Sequence, residues 1–194
     1  MRVFLAGASG VIGTRLTALL TAAGHDVAGM TRSPEKAATI SALGAAAVVC
    51  DVFDNRALRA AVVDFRPDVV LHELTDLPDD VARIAEYGAS NARIRREGTR
   101  NLIAAAKAAR ASRFLAQSVA WQLPGDAGLA TADLESAVLA AAGVVLRYGQ
   151  FYGPGTYHES HLPDGPRIEI NEAAIRTVAA LDAPSGVVVI SETS

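Results

Sequence analysis

Short apolar stretches rich in Val, Leu and Ile alternate along the chain with longer Ala-rich stretches whose apolar residues recur at helical spacing. The short ones predict strands at Arg2–Ala6, Asp26–Met30, Ala46–Cys50, Asp68–Leu74, Arg113–Ser118, Val144–Tyr148 and Gly186–Ile190. They lack polar alternation, as strands covered on both faces do, and the helical stretches between them supply the covers. The predicted class is α/β, a doubly wound parallel sheet of about seven strands. Helix starts are written at Ser33 with Pro34 in the first helical position, at Asp54, and at Asn171 with Glu172. Pro67 closes one helix ahead of the fourth strand, and Gly143 stops another before Val144. Between Gly149 and Arg167 a stretch dense in Gly, Pro, His and Tyr reads as a loop. Nothing repeats and no linker divides the chain, so residues 1–194 read as one domain.

The first predicted strand runs straight into Gly7-Ala8-Ser9-Gly10-Val11-Ile12-Gly13 and then into the apolar helix that begins Arg15-Leu16-Thr17-Ala18-Leu19-Leu20. Between a strand and a helix, this glycine spacing points to a dinucleotide. Gly7 permits the tight turn, Gly10 lets backbone N–H groups approach a pyrophosphate, and Gly13 allows helix to pack on strand. Ser9, Val11 and Ile12 complete the candidate phosphate cradle at the positive end of the helix. Coenzyme preference is set about 20 residues further on, where an acidic residue binds a ribose 2′-hydroxyl. That place reads Gly29-Met30-Thr31-Arg32-Ser33, with no carboxylate and with a guanidinium fork matched to a 2′-phosphate. Thr31 and Arg32 therefore favour NADP(H), with NAD(H) also admitted. Asp51, beside Val52, has two readings: acceptor for an adenine amino group, or cap of the next turn.

These residues resemble the extended and atypical short-chain dehydrogenases/reductases, the nucleoside-diphosphate-sugar epimerase-like and NmrA-like proteins. Besides the glycine turn, the resemblance rests on Thr31-Arg32-Ser33-Pro34-Glu35-Lys36, Glu97-Gly98-Thr99-Arg100-Asn101-Leu102, Arg113-Phe114-Leu115-Ala116-Gln117-Ser118 and Leu146-Arg147-Tyr148-Gly149-Gln150-Phe151-Tyr152-Gly153-Pro154-Gly155. It implies a seven-stranded Rossmann sheet with Leu74 and Thr75 along the cofactor, Ser118 near the substrate, and the loop from Gly149 to Gly155 beside the nicotinamide. Two departures stand out. The family's Tyr-x-x-x-Lys pair, in which an ammonium lowers a phenol pKa for proton exchange, is absent, and Leu134-Glu135 sets its two places at Ala127 and Thr131. After Gly153-Pro154-Gly155 only residues 156–194 follow, so the substrate region is much reduced, leaving a pocket that is open or completed by a second copy in a homo-oligomer.

Composition narrows the partners. A chain that is 51% hydrophobic and 20% charged folds, and its net charge of −3 gives no basic footprint for nucleic acid or anionic lipid. Glycines at 7, 10 and 13 interrupt the apolar N-terminus, and no later run approaches the ~20 apolar residues of a membrane span. The lone Cys50 suits a reducing compartment, so the expectation is a cytoplasmic protein with a small-molecule substrate.

Other candidates have two readings each. Tyr152 and Tyr157 stand beside Ser118 as candidate catalytic groups, with His158 and His161 as further loop residues able to replace the missing acid. His158-Glu159-Ser160-His161 lacks zinc-ligand spacing. His72-Glu73 reads as a hydrogen-bonded pair at a strand end or as catalytic, and Arg93, Arg95, Arg96 and Arg100 as a solvated helix face or a seat for an anion. Two functions remain: an NADP(H)-dependent oxidoreductase or epimerase/dehydratase-like enzyme with a non-standard proton donor, and a cofactor-binding protein without redox turnover.

Overall fold

The computed structural model describes residues 1–78 and 80–192. In chain order the elements are β1 (Arg2–Ala6), α1 (Val11–Ala22), β2 (Asp26–Thr31), α2 (Ala37–Ala42), β3 (Ala46–Val49), α3 (Asn55–Phe65), β4 (Val69–His72) and α4 (Gly88–Arg93). There follow α5 (Thr99–Ala108), β5 (Arg113–Val119), α6 (Gly125–Ala140), β6 (Val144–Tyr148), β7 (Gln150–Tyr152), β8 (Arg167–Glu169), α7 (Ile170–Ala179) and β9 (Gly186–Ile190). Seven strands form one parallel sheet in the order β3-β2-β1-β4-β5-β6-β9. The order reverses between β1 and β4, which is where open α/β sheets bind ligands.

Strand pleating sorts the core into two layers. Val3, Leu5, Val27, Leu71, Leu115 and Leu146 pack under α1, α2 and α7. Their neighbours Phe4, Ala6, Met30, Val70, Ala116 and Val145 pack under α3, α5 and α6. This is the expected doubly wound architecture, and the predicted strands match to within two residues at either end. Among the described residues no helix is long and apolar enough to cross a membrane.

Three local expectations are corrected. The stretch between Gly149 and Arg167 is not only loop, because it is bounded by β7 and β8, which pair in parallel as Gln150↔Arg167, Phe151↔Ile168 and Tyr152↔Glu169. Three-residue strands are too short to show a period in sequence. The α7 cap is Glu169 rather than Asn171: its carboxylate accepts from the N–H groups of Asn171 (2.8 Å) and Glu172 (3.0 Å). Ser33 is, as expected, the cap residue ahead of Pro34, but the element is a 3₁₀ turn, Pro34–Lys36, and the Ser33 hydroxyl bonds Glu35 at 2.5 Å and not a backbone N–H. Asp54 does cap α3, accepting from the Ala57 N–H at 3.0 Å.

Gly143 has a different role from the one expected. The left-handed residue that ends α6 is Ala142, at φ +56°, while Gly143 is needed because a Cβ there would lie 2.7 Å from the Phe114 carbonyl oxygen. An L side chain at φ > 0 is strained by about 1–2 kcal/mol, a penalty glycine avoids. Ala142→Gly is therefore expected to raise stability by ~1 kcal/mol, read as a higher urea midpoint with an unchanged slope.

Candidate functional site

Every strand of the main sheet ends on the same edge, and the candidate cofactor residues collect there because each follows a strand. Gly7 leaves β1 at φ +96°, and a Cβ on it would stand 2.8 Å from the Glu73 carbonyl carbon and oxygen. The N–H groups of Gly7 and Ala8 both donate to the Met30 carbonyl, at 3.2 and 3.1 Å, pinning the turn to β2. A Cβ on Gly13 would lie 2.0 Å from the Gly7 oxygen, so α1 approaches the turn more closely than any side chain permits. Gly10 caps α1 without a side chain, and no acidic residue lies in the first turn. The N–H groups of that turn have no intrahelical acceptors, which leaves an electropositive helix end bare of side-chain cover. This backbone cradle fits a pyrophosphate.

Around it, the Ser9 and Thr31 hydroxyls bond at 3.0 Å, and Thr31 also accepts from the Ser33 N–H. Val11 begins α1, where it packs on the main core, and Ile12 is buried. Asp51 accepts from the Phe53 N–H at 2.9 Å, which is the turn-capping one of its two readings. Val52 is buried under Gly98. Leu74 donates its N–H to His72 Nδ1 (3.1 Å) and accepts from the Gln117 amide (3.2 Å), while Thr75 is exposed. The Arg32 guanidinium, 64% exposed, lies 2.7 Å from the Asp76 carboxylate. The expectation of no carboxylate near Arg32 is thus corrected: the fold brings one from 44 residues along the chain, a pairing no local pattern reveals.

At the substrate end the three candidate catalytic residues serve three different partners. Ser118 is buried and donates to Glu135 Oε1 at 2.6 Å, and Arg147 clamps both oxygens of Glu135 at 2.9 and 2.6 Å. The Arg147 guanidinium, with Ser118 assisting, holds the Glu135 carboxyl below the usual carboxylate range. The one Ser118 proton is therefore committed. Tyr152 donates to Glu192 at 2.5 Å, and the Tyr157 hydroxyl donates to the Pro78 carbonyl. His161 bonds His158 at 3.0 Å rather than a tyrosine. Ala127 and Thr131 stand on successive turns of α6, with the Thr131 hydroxyl donating to the Ala127 carbonyl at 2.8 Å. Neither place offers a phenol or an amine.

His72 and Glu73 are each hydrogen-bonded, but to opposite sides of the sheet. Since His72 Nδ1 accepts from Leu74, Nε2 carries the ring proton and donates to Thr99 at 3.0 Å. Burial pushes this imidazole down to about 3. Glu73 meets the Tyr148 hydroxyl at 3.0 Å, Tyr148 meets Thr177 at 2.7 Å, and Thr177 donates to the Ala173 carbonyl at 2.8 Å. A protonated Glu73 gives each of these three contacts its own proton, whereas an ionised one leaves two protons for three. Burial pushes the Glu73 carboxyl up to about 8, against the Tyr148 bond, which lowers it. Sequence reasoning singled out Glu73 but not this chain, whose members lie up to 104 residues apart in sequence.

Comparison with known proteins places the chain by family and fold. The model of the NAD dependent epimerase/dehydratase family matches residues 3–137. A 3-diazoavenalumate denitrifying reductase from Streptomyces sp is 41% identical over an alignment of 183 positions that covers 80% of this chain. The chain spans 58% of that reductase's length. Among solved structures, the Thermus thermophilus UDP-glucose 4-epimerase in complex with NAD superposes with a TM-score of 0.82 at 17% identity, over 100% of this chain and 78% of its own. The Thermotoga maritima UDP-glucose 4-epimerase with UDP-glucose gives 0.81 at 17% identity, over 98% and 77%. At such identities these two report the fold.

The Glu73 chain predicts a pH dependence. An acid whose folded pKa is raised binds more protons folded than unfolded, so its contribution is complete below about 4.5 and is lost as pH rises through about 8. His72, shifted down from 6.5 to about 3, acts in the opposite sense between those values, so it offsets Glu73 from about 4.5 to 6.5 and leaves Glu73 alone above that. Between about pH 6.5 and 8 the protein should lose up to ~1.4 kcal/mol per pH unit through Glu73. Glu73→Gln, whose amide donates at every pH, should flatten that part of the denaturation profile.

Proposed function

This chain belongs to the NAD dependent epimerase/dehydratase family, and on that premise we propose that it is an NADP(H)-dependent reductase acting on a small acceptor that needs no proton from a tyrosine. The observation that carries the reading is the glycine turn, a backbone cradle at the sheet's switch point in which a Cβ on Gly7 or Gly13 would collide with backbone. The N–H groups of Ser9, Val11, Ile12 and Gly13 meet the pyrophosphate, that of Gly10 being held by the Gly7 carbonyl at 3.0 Å. Arg32 takes the 2′-phosphate, exchanging the 14%-exposed Asp76 carboxylate for a dianion; the Arg32 side chain itself is 64% exposed, so its head reaches solvent. Thr31, Asp51 and Val52 flank the adenosine end, and Leu74 and Thr75 lie along the nicotinamide end.

When bound, the nicotinamide supplies a hydride, and an acceptor such as an aryl diazonium takes it at carbon while N2 leaves with the C–N electron pair, so that no proton is required. The missing Tyr-x-x-x-Lys pair, the committed Ser118 proton and a relative named for a diazo substrate all support this class over carbonyl reduction. The chain's own part is to bind and orient, not to shuttle protons.

The same missing pair supports a second reading, a cofactor-binding protein without redox turnover, and the two differ in one measurement. Nicotinamide absorbance followed with NADPH and a panel of aryl diazonium and carbonyl compounds should fall with the diazonium members and not with the carbonyls. Binding without oxidation across the whole panel selects the second reading. Arg32→Ala should weaken NADPH at least about tenfold more than NADH, and equal losses remove the 2′-phosphate assignment.

A further inference from the structure

The run Arg93, Arg95, Arg96 and Arg100, so uniform in sequence, separates on folding. Arg93 lies over the Phe53 ring at 3.8 Å and holds Glu97 at 2.8 Å. Arg96 reaches across to α6, bonding Asp126 at 2.7 Å and Asp133 at 2.6 Å. Arg100 is exposed. Arg95 alone turns inward: it is 6% exposed, and among the described residues its guanidinium has no hydrogen-bond or ion-pair partner, its nitrogens keeping an edge of solvent contact.

Its position is unusual in backbone as well. Ile94–Gly98 form a π-helical turn between α4 and α5, a local widening that recurs at functional sites. Four residues on either side of Arg95 stand Asn91 and Thr99, which face the segment leaving β4. Asn91 accepts from the Asp76 N–H at 3.1 Å, and Thr99 bonds His72 at 3.0 Å. That segment is the one whose Glu73 backbone abuts Gly7. The π turn thus carries a cation to the α5 and α6 side of the sheet edge, opposite the α1 side that the phosphate cradle uses.

Burial lowers the Arg95 pKa, yet a guanidinium keeps its charge at any ordinary pH. A guanidinium on a buried stem, with no protein partner and its nitrogens still open to solvent, belongs where a ligand completes it. A planar fork of donors matches a carboxylate bidentately. Building on the reductase reading, we propose that Arg95 is the receptor for a carboxylate on the acceptor: the unpartnered guanidinium of the π turn binds that anion and sets the acceptor against the end of β4. Arg95 is a substrate-positioning residue in this scheme, and it performs no bond-making step.

Calorimetry with benzoate as the probe, on protein saturated with NADP+, tests the proposal. Wild type should bind benzoate, Arg95→Gln and Arg95→Met should weaken it about tenfold or more, and Arg95→Lys, which keeps the charge without the fork, should fall between. NADP+ affinity should change less than about twofold in all three. Without ligand, Arg95→Met should melt above wild type, since an apolar side chain replaces an unpaired charge; a purely structural arginine would not give that result. Benzoate binding that is absent in wild type or unchanged in the variants overturns the proposal, as does NADP+ affinity lost in parallel with benzoate. Benzoate held through Arg95 by a protein that takes neither nucleotide keeps this inference and sinks the cofactor reading. Nucleotide binding without benzoate does the reverse.

Discussion

The carbonyl of Gly7 stands where the Cβ of any other residue at position 13 would have to be, and the structure is arranged around that contact. It lets α1 descend onto the end of β1, which aims the helix's unbonded N–H groups along the edge of the sheet. The same turn is held from both flanks, by the Met30 carbonyl on the β2 side and by the backbone of Glu73 on the β4 side. A close approach of three backbones therefore fixes the cradle, and side-chain chemistry enters only at its rim.

From that edge the pleat distributes function. Adjacent residues point to opposite layers, so His72 joins Thr99 under α5 while Glu73 joins Tyr148 and Thr177 under α7. Ser118 and Arg147 on neighbouring strands likewise meet the same Glu135 of α6. These polar groups sit at the ends of otherwise apolar strands, where each can be satisfied by a partner from the helix above.

What was legible in the sequence follows the range of the interactions. The strands were readable because a two-sided burial pattern is local, and the glycine turn because its spacing encodes a backbone geometry of seven residues. Caps were readable where the capping side chain lies next to its helix, as with Asp54, and misplaced at α7, where Glu169 belongs to a three-residue strand that shows no period. The Arg32–Asp76 and Ser118–Glu135–Arg147 groups and the Glu73 chain depend on which strand lies beside which, and no window along the chain contains them. The four arginines were visible as a set, but only the widened turn at Ile94–Gly98 decides which of them faces inward.

The absence of the tyrosine and lysine also changes what the remaining polar groups can be. A proton relay needs a donor whose pKa lies near the working pH and whose proton is free to leave. Ser118, Tyr152 and Tyr157 each have that proton directed to another protein atom, and burial pushes Tyr148 well above the ordinary phenol range. Glu73 titrates in the right range, but its proton completes a line of hydroxyls that ends on a helix carbonyl, so releasing it would strip a bond from the packing of α7 against the sheet. The polar atoms at this edge are thus organised to stay as they are. Such a site fits the proposed reductase reading, in which the acceptor brings its own leaving group, and Arg95, whose head has no protein partner among the described residues, is a cation rather than an acid.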